Sequence, residues 1–312
     1  MAAIEEAFSK LDAGEAALRT ARQRLKRMRD AVLTAAVTGR LVPQDPTDTV
    51  ASKILADLGV EPLRDAGLPT LPASWSAARV QDVGDVDLGR QRSPKYHRGD
   101  NMKPYLRVAN VFEDRIDTSD VMEMHFDVSS FERSRLLRGD ILLNEGQTPE
   151  LLGRPAMYRG DPPEVAFTNS LLRFRSRQGI DPEWALLVFR YHMHSGRFTR
   201  ESRITTNIAH LSAARFKPIE FFVPPQAEQV RIVTEFARQT SFIDACARAI
   251  DAGLARSAAL RRAVLKAAFE GRLVPQDPSD VPASVLVERI REERSGSGSP
   301  KLRSTRTVRS GS

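Results

Sequence analysis

The chain has a single cysteine in 312 residues, Cys246, and no Cys-x-x-Cys pair. An internal disulfide is excluded, and so is a zinc site built on cysteine. No run of about 18 apolar residues occurs, so no membrane-spanning helix is expected. The amino-terminal stretch MAAIEEAFSKLDAG carries acids where a signal peptide needs a basic flank and an apolar core. These absences lead to the expectation of a soluble, cytoplasmic protein. Catalytic signatures are equally scarce. There is no glycine-rich phosphate loop and no Gly-x-Ser-x-Gly nucleophile turn. No SAM-binding glycine motif is present, and Pro224–Pro225 follow Phe222–Val223 rather than completing a methyltransferase (D/N)PP(Y/F) motif. His192 and His194 form a His-x-His pair with no third ligand in view, and they read as helix-surface histidines. An apolar content of 41% is enough for a real core, which excludes a wholly disordered chain. The balance of 47 basic over 40 acidic residues, +7, favours a polyanionic partner.

An internal repeat sets the architecture. AVLTAAVTGRLVPQDPTDTVAS begins at Ala31 and AVLKAAFEGRLVPQDPSDVPAS at Ala263, an offset of 232 with 16 of 22 positions identical. The match extends backwards without a gap, so that Ser9, Asp12, Ala13 and Ala17 meet Ser241, Asp244, Ala245 and Ala249. One structural unit is used twice, over about 4–58 and 236–290, around a different middle.

Each copy opens as a long helix. Ile4, Leu11, Leu18, Leu25 and Val32 recur every seven residues, and Phe236, Ile243, Ile250, Ser257 and Val264 hold the equivalent places. A sustained seven-residue apolar repeat predicts a coiled-coil seam. Gly14, Arg22, Arg29, Gly253 and Ser257 weaken it, and Gly253 is also a candidate kink. The alternative is a pair of amphipathic helices packed on a globular core. Gly39 and Gly271 suit left-handed caps, and Pro43, Pro46, Pro275 and Pro278 forbid continuation. Short helices are expected next, at 49–58 and 282–293. The final stretch, SGSGSPKLRSTRTVRSGS, reads as a disordered basic tail.

Residues 75–225 have the texture of a mixed α+β domain. Strands are expected at Tyr105–Val111, Val121–Phe126, Asp140–Asn144, Val165–Phe174 and Ile219–Val223, with a helix over 182–202. Two clusters are almost purely basic. Arg90, Arg92, Lys95, Arg98, Lys103 and Arg107 lie against Asp100 alone; Arg190, Arg197, Arg200, Arg203, Arg215 and Lys217 lie against Glu201 alone. They interleave with Tyr96, His97, Tyr191, Thr205, Thr206 and Asn207, a mixture suited to phosphate contacts and base-edge hydrogen bonds. The other reading is a solvated charged surface. Gln147 and Asn207 are the candidate base readers, from amide geometry. Asp140 and Glu145, in GDILLNEGQ, loosely resemble nuclease carboxylates that hold magnesium, but Gln147 stands where a lysine would be expected.

The order of motifs is LVPQDP at 41–46, LPASW at 71–75, LRVANV at 106–111, RGDILLNEG at 138–146, LGRPAMY at 152–158, PPQAEQVRIV at 224–233 and LVPQDP again at 273–278. The chain resembles the specificity (S) subunits of type I restriction–modification systems. The resemblance covers nearly everything before the tail. It implies a coiled-coil helix at 1–40, a connector at 41–74, a DNA target-recognition domain at 75–225, a second coiled-coil helix at 226–272, a connector at 273–294 and a tail at 295–312. It further implies a non-catalytic subunit that reads one half of a split sequence in double-stranded DNA. The two helices would pair antiparallel as a ruler and dock methyltransferase (M) subunits, through which restriction (R) subunits join. SAM, Mg2+ and ATP would belong to those partners and no cofactor to this chain. Members of this family carry two recognition domains, and this chain has one. Either it works as a half-subunit, in which case a twofold homodimer reads a symmetric site, or it is part of a longer S polypeptide. The rival readings are a DNA-binding module of another defence or regulatory complex, and a metal-dependent nuclease using Asp140 and Glu145.

Overall fold

The computed structural model describes residues 2–64, 67–205, 208–275, 277 and 279–296. The chain forms two compact units, Met1–Arg19 with Asp251–Ser312, and Thr20–Ile250. Two long helices run through both: α1 (Ala2–Val37) and α6 (Gln226–Phe269). Both stop in the same way. Gly39 and Gly271 take φ of 70° and 68°, and the amides of Arg40 and Arg272 donate to Ala35 and Ala267 at 2.8 Å. This double use of one cap is what the repeated Gly-Arg predicts.

Within the Thr20–Ile250 unit the Arg29 guanidinium pairs with the Asp244 carboxylate. Val32, Phe236 and Ile243 are buried there in one core, with Leu25 half-buried against it. Within the other unit Arg261 pairs with Asp12, the Ser257 hydroxyl donates to Glu15 at 2.8 Å, and Leu18 faces Gly253. Numbers rise on one helix as they fall on the other, so the pairing is antiparallel. Ile250 is buried, whereas Ile4, Leu11, Leu18 and Val264 are half-buried. Two groups expected to weaken the seam are instead its polar contacts: Arg29 and Ser257 both find acids on the facing helix. Helix α6 passes Gly253 without a break. The offset of 232 makes Arg29 equivalent to Arg261 and Asp12 to Asp244, so one pair of repeat positions forms the same ion pair twice.

The middle of the chain is an α+β domain. After α2 (Ala51–Asp57) come β1 (Ser76–Arg79), β2 (Gly84–Leu88), β3 (Met102–Leu106), β4 (Met122–His125), α3 (Val128–Ser134), β5 (Ile141–Asn144), β6 (Gly146–Gln147), β7 (Pro155–Met157), β8 (Ala166–Phe167) and β9 (Leu171–Ser176). Helices α4 (Pro182–His194) and α5 (Arg197–Glu201), strands β10 (Arg203–Thr205), β11 (Ile208–His210) and β12 (Glu220–Val223) complete it. An antiparallel sheet of order β2-β9-β5-β7 forms the centre. Its apolar face meets α4, whose N-cap Asp181 accepts from the amides of Glu183 and Trp184 and whose Pro182 fits the first turn. Strand β1 pairs antiparallel with β12, Ser76 with Val223, which closes the start of the domain on its end.

Three expectations are corrected. The helix expected over 182–202 breaks after His194, and Ser195–Gly196 separate α4 from α5. The run Val165–Phe174 is two strands with a turn at 168–170, and Tyr105–Val111 gives way to a short 3-10 turn at Val108–Asn110. Strands β1, β2, β6, β7, β10 and β11 were absent from the sequence reading, because they are short and several carry residues that strands disfavour, such as the Gly and two Asp of GDVDL. The helices are also not only a seam. Val32, Leu33, Ala36 and Val37 from α1, with Ile232 and Phe236 from α6, join the core of the α+β domain around Trp75 and Trp184.

Candidate nucleic-acid interface

The turn at 167–170 organises this surface. The Arg90 amide donates to the Phe167 carbonyl at 3.0 Å, and the Asn169 amide donates to the Arg90 carbonyl at 3.1 Å. The loop that follows Gly89 is thereby held to one side of the turn. A Cβ on Gly89 would stand 2.3 Å from the Phe167 carbonyl oxygen, so only glycine admits this approach. On the other side, the Glu145 amide donates to Ser170 at 3.1 Å. Strand β6 then pairs Gln147 with Ala209 on β11, and β11 pairs with β10. Parts of both basic clusters, far apart in sequence, are thus joined through one turn.

The side chains sort into two kinds. Arg92, Lys95 and Arg98 are exposed on the loop and make no ion pair among the described residues. Arg92 lies over the Tyr105 ring at 5.7 Å and Lys95 over the Tyr96 ring at 4.8 Å, so both heads start from a fixed base. Gln147 is half-buried, with its side-chain oxygen accepting from the Thr148 amide at 3.1 Å. Arg200 is exposed beside Pro149 and Thr199. By contrast, Arg90 is enclosed. Its guanidinium lies 4.0 Å from the Tyr96 ring centroid and 4.9 Å from that of Phe126, and it donates to the His125 carbonyl at 2.9 Å. Arg90 and Tyr96 therefore shape the loop from within. Arg107 is paired with Asp120, and Lys103 with Glu164 at 2.9 Å. Lys217 is half-buried, and its backbone carbonyl accepts from Gln81 at 3.1 Å. Only the backbone of Arg203 and Thr205 is described, and Thr206 and Asn207 lie outside the described residues.

The second basic run is largely neutralised by acids from elsewhere. Arg190 is buried between Glu113 at 3.0 Å and Asp114 at 3.5 Å. Arg197 bonds Glu220 at 2.8 Å and Glu201 at 2.6 Å, and Arg215 donates to the Glu201 carbonyl at 2.7 Å. Burial alone would raise the Glu113 carboxyl, but His194 and Arg190 overcome it and hold the group at about 2. The two histidines of the His-x-His pair go separate ways. His192 is buried, not on the surface as expected; burial holds its ring down to about 4, and its Nε2 lies 2.9 Å from the Glu220 carbonyl. His194 meets Glu113 at 2.9 Å. Asp140 is 1% exposed; it takes two bonds of 2.7 Å from the Arg175 guanidinium and one of 2.8 Å from the Leu137 amide. It is a buried structural carboxylate rather than one open to a metal, and Glu145 faces His210 at 3.4 Å. No group of three His, Cys, Asp or Glu side chains that could hold a metal occurs among the described residues.

Sequence reading missed the polar knot that fixes this domain to the start of α6. Glu228 and Gln229 are fully buried. Glu228 accepts from the Trp75 indole at 3.0 Å and from Gln44 at 2.6 Å, and burial pushes its carboxyl above the usual range. Gln229 accepts from the Asp181 amide at 2.7 Å and donates to the Gly179 and Pro224 carbonyls at 3.1 Å. Arg231 pairs with Asp48. The motif PPQAEQVRIV is therefore a clamp that holds Trp75, the first connector and the domain together. A polar pair set where the helix pattern turns inward was the available signal.

No family model matches the chain. It is 23% identical over 312 residues to the EcoKI specificity subunit of Escherichia coli K12, across 96% of this chain and 62% of that one. It is 26% identical over 324 residues to the EcoBI specificity subunit of Escherichia coli, with the same two coverages of 96% and 62%. The StySPI specificity subunit of Salmonella potsdam matches at 23% over 312 residues. The chain is similar to the specificity subunits of type I restriction enzymes. It spans about 62% of the length of these specificity subunits. The crystal structure of an HsdS subunit from Thermoanaerobacter tengcongensis superposes with a TM-score of 0.49 at 17% identity, over 86% of this chain and 58% of that one. No described helix of the chain is long and apolar enough to cross a membrane.

Proposed function

We propose that the chain is a non-catalytic DNA-recognition subunit of a type I restriction–modification complex, reading one half of a bipartite double-stranded site. The observation that carries this reading is the joining, through the turn at 167–170, of the Arg92–Arg98 loop and the Gln147 strand in a chain related to specificity subunits over 96% of its length. Arg92, Lys95, Arg98 and Arg200 contact phosphates, which position the domain. Gln147 and Asn207, with Thr205 and Thr206 beside it, read base edges. Arg203 and Lys217 add charge at the margin. Arg90, Tyr96 and Arg107 act through the shape of the loop and its flanking strand.

The antiparallel helices set the spacing between half-sites and carry methyltransferase subunits, through which restriction subunits join. SAM, Mg2+ and ATP are bound by those partners. The test is direct. The purified chain alone neither methylates nor cleaves DNA with any of these cofactors, and methylation of a split adenine-containing motif appears when a cognate methyltransferase subunit is added. Turnover by the chain alone, at a stoichiometry that excludes contaminants, would sink this assignment.

A further inference from the structure

Strand β11 alternates sharply. Ile208 is 48% exposed, Ala209 is fully buried in the core, and the His210 side chain is 47% exposed. A strand with one face in the core sends every second side chain outward, so Ile208 and His210 share the outer face. Opposite His210, on β6, stands Gly146. The imidazole lies on bare backbone there, because a Cβ on Gly146 would come 3.1 Å from both its Cε1 and its Nδ1. Glycine is needed at this position for room, not for an unusual backbone conformation.

The ring is also held at its edge. His210 Nδ1 lies 3.4 Å from Oε2 of Glu145. Glu145 is itself fixed through its backbone: its amide donates to the Ser170 carbonyl at 3.1 Å, and its carbonyl accepts from the buried Leu211 at 2.8 Å. A carboxylate can only accept, so this contact keeps a proton on Nδ1. In the neutral ring Nε2 is then an acceptor, and it has no hydrogen-bond partner among the described residues. An exposed imidazole with a fixed proton, an open acceptor and a supporting bed is a preorganised polar group. It stands beside the basic loop, because the turn that holds Glu145 through Ser170 also holds Arg90 through Asn169, at 3.1 Å.

We infer that His210 is a base-reading residue whose Nε2 accepts, in the major groove, from the exocyclic amine of an adenine or a cytosine. This rests on the DNA-recognition reading and names a specificity determinant within it. The antiparallel pair β10–β11 is a two-stranded ribbon, a shape that the major groove admits and the minor groove does not. Glu145 is a positioning residue: it sets which ring nitrogen carries the proton, and hence whether His210 seeks a donor or an acceptor on the base edge. Ile208 stands about 6.8 Å along the strand, near the length of two base-pair steps, and its exposed side chain suits a thymine methyl on a separate base pair. Gln147 is opposite the buried Ala209 and so on the other face of the sheet from His210. The two residues therefore cannot serve the same base pair.

The experiment uses the full chain with its cognate methyltransferase subunit. The methylated motif defines the half-site, and duplexes carrying each base pair at each position are then titrated at one salt concentration. His210→Ala loses about tenfold of discrimination at one base pair and leaves the other positions and the thermal midpoint unchanged, since the side chain is exposed. His210→Gln, which keeps an acceptor, recovers part of the loss. Replacing the amine at that position by hydrogen costs the natural complex the same factor and costs His210→Ala nothing. Glu145→Gln lowers discrimination at that position alone, and adding it to His210→Ala changes nothing further, a coupling that a purely structural role would not give. Unchanged discrimination at every position in His210→Ala, or an equal loss at all of them, would overturn the inference while leaving the DNA-recognition reading intact. So would an amine deletion that costs His210→Ala as much as it costs the natural complex. A natural complex that prefers no duplex over any other would overturn both.

Discussion

Leu33 and Leu265 are the same residue at the same repeat position, so Leu→Ala at each isolates the effect of covering. Leu33 is 3% exposed in the core around Trp75 and Trp184. Removing three side-chain carbons at about 0.8 kcal/mol each loses roughly 2.4 kcal/mol of transfer free energy. The residual cavity adds to this, and Leu→Ala in a packed core costs about 2–5 kcal/mol in all. Helix propensity returns only a few tenths. The expected loss for Leu33→Ala is therefore about 3 kcal/mol. Leu265 is 38% exposed and leaves no closed cavity, so its loss stays within about 1 kcal/mol. Urea unfolding followed by tryptophan fluorescence reads the first, because both tryptophans of the chain, Trp75 and Trp184, sit in the core with Leu33. With an m-value of about 3 kcal/mol/M, the midpoint falls by about 1 M. Far-UV circular dichroism reads the second and finds little change. Equal losses for the two substitutions would refute the view that covering, and not the repeated sequence, sets the energetics of this segment.

Replacing Arg92, Lys95 and Arg98 together by Ala leaves the fold intact and weakens binding to all DNA sequences alike; the slope of log affinity against log salt falls by about 2.7 if each neutralises one phosphate. An unchanged slope removes the loop from the interface. Gly89→Ala lets Arg92, Lys95 and Arg98 keep their charges but pushes their loop off the turn at Phe167, so affinity falls more than stability; equal affinity would mean the turn does not place the loop. Asp140→Ala leaves the partly exposed Arg175 guanidinium without its carboxylate and the Leu137 amide without its acceptor, and lowers stability by about 1.5–3 kcal/mol; loss of a metal-dependent cleavage activity at full stability would instead revive the nuclease reading. Glu113 has a folded pKa lowered from 4.5 to about 2, so its contribution is present above the unfolded value and is lost as pH falls from about 4.5 towards 2. Glu113→Gln should flatten that part of the stability profile, and an unchanged profile would place the acid sensitivity elsewhere.

Part of the candidate surface was legible, for reasons that can be named. The run from Arg90 to Arg107 stood out because six cations faced Asp100 alone, and three of its side chains, Arg92, Lys95 and Arg98, remain exposed. The second run misled because charge counting sees only neighbours in sequence. Glu113 and Glu220 reach Arg190 and Arg197 from distant segments, and the resulting pairs hold the domain together. Asp140 looked available to a metal because Arg175 is 35 residues away. Gln147 was singled out for its amide, but its strand partner Ala209 emerged only from the register of β6 on β11.

The sequence by itself determined the repeat, the two long helices, their shared caps and their capacity to pair. All of these follow from local pattern: a seven-residue period, Gly-Arg after the last turn, and prolines beyond it. Tertiary structure alone decided which copy is buried. Leu33 and Leu265 lie in almost identical segments, yet burial is a property of what stands opposite. The α+β domain stands opposite the first copy, held there by Glu228 and Gln229, and no described residue covers Phe269 in the second.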